Sequence, residues 1–191
     1  MGVERVFEIS RQDGNSHIGS SIGIYQCLKE VEGDMKLEDI VVLDGAHGSL
    51  GYFVWLEETK GIDAHDLHKR HGTHQHRELE DTIEVSGGSL GLASSIALGR
   101  AMANRDRAVW CITTDGAMAE GIWWEVLRIK ADKQVDNLKV VVSANGWSAY
   151  DQVDVNKLTE RVHAFCPDVQ IIRTETNFNG NEGLAAHYNK L

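Results

Sequence analysis

Apolar residues recur at mixed spacings of three and four over residues 20–31 and again over 49–58, the period of helices with one buried face. Between them Ile40-Val41-Val42-Leu43 is a short unbroken apolar run that stops at Asp44-Gly45, which predicts a buried strand closed by a turn. The second half repeats this alternation more regularly. Residues 89–103, rich in Ala, Leu and Gly, predict a helix whose small-residue face packs close to a sheet. A fully buried strand over 108–113, a helix over 119–133 and a second such strand over 138–143 follow, and then helix, strand and helix over 155–165, 169–173 and 182–190. Strands without polar alternation, each followed by a helix, are covered on both faces and pair in parallel. The expected fold is therefore α/β, a three-layer sandwich with a mostly parallel central sheet and helices on both faces. Ligands of such sheets bind beyond the carboxyl ends of the strands.

Length and charge narrow the possibilities. The 191 residues suit one domain over 1–191, and no apolar run approaches the length that spans a bilayer. Residues 1–12 carry charge and lack the apolar core of a signal peptide, so the expected address is cytoplasmic. A net charge of -10 speaks against sequence-independent binding to nucleic acid or an anionic membrane, both of which need clustered Lys and Arg. Cys27, Cys111 and Cys166 lie far apart with no C-x-x-C pairing, which predicts buried free thiols rather than disulfides or a thiolate metal site.

Two predicted strand ends carry candidate chemistry. The first runs into Thr114-Asp115-Gly116-Ala117 and the second into Ala144-Asn145-Gly146-Trp147. Asp115 offers a hard carboxylate and Asn145 an amide oxygen, both suited to Mg2+, which completes its shell with phosphate oxygens and water. Backbone N–H groups of Gly116 and Ala117, at the start of the next helix, are placed to face a phosphate. An Asp-Gly pair at a strand end serves as a plain turn more often than as a ligand site, and only the pairing with Asn145, 30 positions later, separates the two readings.

That pairing resembles the thiamine diphosphate signature, and the similarity extends along the chain to the transketolase-type enzymes. Asp115-Gly116-Ala117-Met118-Ala119-Glu120-Gly121-Ile122-Trp123-Trp124-Glu125 resembles the family's D-G-x-x-x-E-G-x-x-W-E, and Asp136-Asn137-Leu138 its D-N-L. Asn15-Ser16-His17-Ile18-Gly19 is similar to its S-G-H-x-G segment, Asp44-Gly45-Ala46-His47-Gly48 to its G-H-A segment, and Ser86-Gly87-Gly88-Ser89-Leu90-Gly91 to its S-T-G-S-L-G loop. Asn179-Gly180-Asn181-Glu182 matches its Asn/Asp-Gly turn before a helix. Three positions depart from the pattern: Thr114 stands for its first Gly, Gly146 for its second Asn, and Arg77 for the proline of G-H-P-E.

The resemblance implies thiamine diphosphate and Mg2+ as cofactors. The side chains of Asp115 and Asn145 and the carbonyl of Trp147 would ligate the ion, Gly116 and Ala117 would meet the diphosphate, and Gly88 and Leu90 would contact the rings. His17, His47 and His76 would line the substrate channel, with His74 as the alternative to His76, and Glu120 would sit at a subunit interface. The implied reaction is transfer of a two-carbon ketol unit between sugars, free or phosphorylated. The implied partner is a separate C-terminal transketolase-like chain carrying the pyrimidine-binding domain and its activating glutamate, in a dimer of heterodimers, so that this chain alone would be inactive. The rivals are a subunit similar to deoxyxylulose phosphate synthase, one similar to 2-oxo acid dehydrogenases, disfavoured by the histidine segments, and a degenerate non-catalytic scaffold. His65, His68, His71, His74 and His76 place five histidines within twelve residues, which offers Zn2+ or Ni2+ ligands. Gly72 ends any helix there, and a polar flank of the active site is the better reading.

Overall fold

A computed structural model describes residues 2–191. Helices α1 (Gly2–Asp13) and α2 (Ile18–Val31) precede strand β1 (Ile40–Leu43), and α3 (Ser49–Lys60), α4 (Ala64–His71) and α5 (Leu92–Ala103) follow it. Then come β2 (Val109–Thr114), α6 (Gly121–Asp132), β3 (Leu138–Ala144), α7 (Val155–Phe165), β4 (Gln170–Arg173) and a short α8 (Leu184–Tyr188). The four strands pair in parallel in the order β1-β2-β3-β4. Among the described residues no helix is long and apolar enough to cross a membrane.

Strands β2 and β3 carry almost no polar alternation because both sheet faces are covered. Trp110, Ile112 and Val141 point into a core built with α1–α4 and α8, whereas Cys111, Val140 and Val142 point into a second core built with α5–α7. The three-layer α/β sandwich expected from the sequence is the observed architecture. Helix α1 is an addition: its charged sequence hides only two fully buried aliphatic side chains, Val6 and Ile9. The predicted helix over 89–103 begins three residues later, because Gly91 takes φ 82° and leaves residues 88–91 as a loop. The predicted helix over 182–190 shrinks to the five residues of α8.

A buried carboxylate fixes that loop. Asp44, 1% exposed just beyond β1, accepts from the Thr113 hydroxyl and the Trp123 indole N–H, each at 3.0 Å, and from the N–H groups of Gly91 and Ala93, each at 3.1 Å. It thereby ties β1, β2, the start of α5 and α6 together at the carboxyl end of the sheet. Burial pushes its ionisation up, and the four donors pull it back. Asp44→Ala strands those donors without an acceptor, and should destabilise the fold by about 3 kcal/mol in urea unfolding. A loss under about 1 kcal/mol would show that the donors find other partners.

Candidate active site

Because Thr114 stands opposite Ser143 in the parallel ladder, the tips of β2 and β3 deliver Asp115 and Asn145 to one place. The Asp115 carboxylate, 2% exposed, accepts the Gly146 N–H at 2.7 Å on Oδ2 and the Gly116 N–H at 3.0 Å on Oδ1. The Asn145 amide oxygen accepts the Trp147 N–H at 2.8 Å, an Asx turn that reverses the chain after β3. The Trp147 indole is then held by close approach: a Cβ on Gly183 would stand 2.6 Å from its Cε2, so only glycine fits there, at φ 54°.

Asp115, Gly116, Asn145 and Trp147 border one cavity of about 190 Å3, and Gly88, Leu90, His17, His47, His74 and His187 stand on its other walls. That volume is below the range of about 300–1,000 Å3 usual for a whole ligand pocket, so this chain encloses only part of a ligand. A larger cavity of about 360 Å3 lies beside Ile40, Tyr52 and Trp55, at the amino end of β1 and away from the strand tips. We assign the chemistry to the smaller one, where polar groups converge as expected for a parallel sheet.

The residues present fit a Mg2+-diphosphate. The donor set is all oxygen: one carboxylate, one amide and, beside Gly116, the Trp147 carbonyl. A Cβ on Gly116 would lie 3.2 Å from Ser148 Cα and 3.7 Å from the Trp147 oxygen, so any side chain there would fill the space between the two strand tips. No Arg or Lys lines the cavity among the described residues, so a polyphosphate must meet its countercharge in a cation on Asp115. Burial pushes the Asp115 carboxyl up to about 6, against the pull of the Gly146 and Gly116 N–H groups, and a divalent ion would restore the charged form.

The opposite wall is built of imidazoles. His17 caps α2 in the left-handed region at φ 59°, and its ring centroid is 5.5 Å from that of His47. Burial, reinforced by the neighbouring imidazoles, pushes His17 down to about 4 and His47 to about 3, so both rings are neutral near pH 7. A neutral imidazole donates from one nitrogen and accepts at the other, which suits sugar hydroxyls. The Nδ1 atom of His17 is buried without a hydrogen-bond partner in the protein.

Two expected contacts lie elsewhere. Ala117 is fully buried, and its N–H donates to the Thr114 hydroxyl at 3.2 Å, so it is not free for a phosphate. His76 is exposed, and its N–H donates to His71 Nδ1 at 3.2 Å, whereas His74 borders the cavity. The reason is local: Gly72 ends α4 at φ 68°, and buried Gln75 donates to the Leu43 carbonyl at 3.0 Å, which fixes the segment between them. The rest of the histidine run is engaged with carboxylates. His65 and His68 both meet Asp13, at 3.0 and 2.8 Å, and His71 Nε2 lies 3.0 Å from Glu78. Among the described residues no group of three or more His, Cys, Asp or Glu is arranged to hold a metal. His187, which carried no sequence signal, enters the cavity from α8.

This is the N-terminal domain of a transketolase-like, thiamine diphosphate-dependent protein. The chain belongs to the family described as 1-deoxy-D-xylulose-5-phosphate synthase, whose model matches residues 6–178. A 1-deoxy-D-xylulose-5-phosphate synthase of Fusobacterium nucleatum is 26% identical over 83% of this chain and 27% of that protein. An apulose-4-phosphate transketolase subunit from Actinobacillus succinogenes is 29% identical over 56% of this chain and 42% of that protein. The crystal structure of transketolase from Campylobacter jejuni superposes with a TM-score of 0.71 at 21% identity, covering 86% of this chain and 31% of that one, which establishes the shared fold. The chain thus spans about a quarter of the length of the curated synthases it matches.

The imidazole cluster sets a pH dependence. His17 and His47 take up protons in the unfolded chain near 6.5 and in the folded one only near 4 and 3. Their stabilising effect is thus complete above pH 6.5 and is lost as the pH falls toward 4. Lowering the pH from 6.5 to 5.0 should remove about 2 kcal/mol, half the full linkage value because the rings are only half-buried. The raised Asp115 acts in the opposite sense below pH 6, so the comparison is with a His17→Gln, His47→Gln variant in urea unfolding. Equal losses in both proteins would contradict the assignment.

Proposed function

We propose that this chain is the diphosphate-binding subunit of a two-chain transketolase-type transferase, which moves a two-carbon ketol unit between sugars in a reducing cytoplasm. The observation that carries the reading is the meeting of Asp115 and Asn145 at one cavity whose far wall is neutral histidine. Asp115, Asn145 and the Trp147 carbonyl would hold Mg2+, Gly116 would leave room for the diphosphate, and Gly88 and Leu90 would contact the rings. When bound, thiamine diphosphate supplies the electron sink for breaking and forming a carbon–carbon bond beside a carbonyl. His17 and His47 orient the sugar hydroxyls and pass protons to and from them, and the exposed His74 borders the same cavity.

The pyrimidine-binding domain belongs in this reading to a separate chain, in a dimer of heterodimers. Support comes from a cavity too small for a whole cofactor and from the Actinobacillus succinogenes relative, whose name marks it as one subunit of its transketolase. A second reading, one chain of a deoxyxylulose phosphate synthase-like enzyme, is favoured by the family model over residues 6–178. The same Mg2+ and cofactor residues serve both.

The test is titration of thiamine diphosphate into the chain co-purified with its pyrimidine-binding partner, with Mg2+ or with EDTA. Binding should need Mg2+ and weaken at least about 100-fold in Asp115→Ala. Affinity that survives EDTA or this substitution would refute the ligand set. Ketol transfer from a ketose supports the first reading, and CO2 release from a 2-oxo acid supports the second.

A further inference from the structure

The function proposed above uses the half-buried His17 and His47 and leaves a third imidazole, itself buried, beside them without a task. His187 is only 7% exposed, and its ring centroid lies 6.3 Å from that of His17 and 6.4 Å from that of His47. With the 5.5 Å between the other two, the rings form a nearly equilateral triangle on one wall of the cavity.

The third ring is placed by contacts that join the two ends of the chain. The His17 N–H donates to the His187 carbonyl at 2.7 Å, and the Ser20 hydroxyl lies 2.9 Å from His187 Nδ1. Helix α8 reaches α2 closely because Gly19 lacks a side chain; a Cβ there would stand 3.1 Å from the Ala186 methyl. On the other side the Tyr188 hydroxyl donates to the Ala149 carbonyl at 2.9 Å, which fastens α8 to the turn that carries Trp147 and Ser148. Ser20 thus occupies Nδ1, and Nε2 remains for the cavity. Burial lowers the basicity of this ring as it does for its neighbours, so it too enters as a neutral donor and acceptor.

A satisfied core histidine would need Ser20 alone. Packing against two further imidazoles, one of them with an Nδ1 that has no partner in the protein, makes little structural sense without a polar ligand. We propose that His187 is a substrate-binding residue, anchored through Nδ1 on Ser20 and presenting Nε2 to a hydroxyl of a polyhydroxylated ketose that His17 and His47 hold on either side. This rests on the transketolase-type reading above. Three neutral donor–acceptor groups a few ångströms apart match the successive hydroxyls of an open-chain sugar, each of which also donates and accepts.

The experiment uses the two-chain complex loaded with Mg2+ and thiamine diphosphate, and D-xylulose 5-phosphate and D-fructose 6-phosphate as probes. The ring resonances of His187 should shift on adding at least one ketose. His187→Phe should raise KM about tenfold with kcat changed less, and should leave thiamine diphosphate affinity within about twofold. His187→Gln, whose amide nitrogen reaches toward the Nε2 position, should hold KM within about threefold and guards against a folding defect in the Phe variant. If the wild-type complex binds no cofactor, the parent reading fails and this inference with it. If the cofactor binds, the His17 resonances respond to ketose and neither the His187 signals nor the KM of His187→Phe moves, then His187 is structural and only this inference is overturned.

Discussion

The site depends on one buried carboxylate that laces two strand tips together. Asp115 accepts backbone N–H groups from its own strand end and, at 2.7 Å, from Gly146 beyond β3. Those bonds set the separation of the tips and keep a charge-bearing group where burial opposes charge. Asp44, one strand over, has the opposite character: side-chain and backbone donors from three elements surround it. One carboxylate is consumed in holding the fold, the other is met by backbone donors only and stays able to serve a cation.

From that constraint the remaining parts take their places. Asp44 steadies the loop of Gly88 and Leu90 above the strand tips, and the Asx turn of Asn145 folds Trp147 back toward Gly116. The imidazole wall draws on two early segments, with His17 at the head of α2 and His47 in the turn after β1. Among the described residues no Arg or Lys borders this cavity, so in the proposed reading the countercharge to a diphosphate would come from a metal ion.

The sheet was legible in the sequence because unalternating runs such as those of β2 and β3 occur where both faces are covered. That Asp115 and Asn145 stand at the tips of neighbouring strands was legible from their spacing of 30 positions and the two buried runs that precede them. Helix α1 was hidden by its charged surface, and the start of α5 by glycine conformations that periodicity does not register. The choice between His74 and His76 depended on how Gln75 is anchored to Leu43, a contact across 32 residues of chain. His187 was invisible for the same reason: the pattern predicts a helix over 182–190 but not its partners, and only the packing of α8 on α2 brings the ring to the site. Ala117 was misplaced because the Thr114 hydroxyl, standing for the glycine of the family pattern, takes its N–H.

The central claim is that one carboxylate and one amide oxygen, from adjacent strands, converge on a single divalent ion. Mn2+ offers the most direct measurement, because its unpaired electrons broaden NMR signals within a short radius. In the 15N-labelled chain, substoichiometric Mn2+ with thiamine diphosphate should selectively broaden the Asn145 side-chain amide and the N–H signals of Gly116, Gly146 and Trp147, and Asp115→Ala should abolish this. Broadening that spreads over surface carboxylates, or that spares Asn145 while reaching Asp115, would contradict the account.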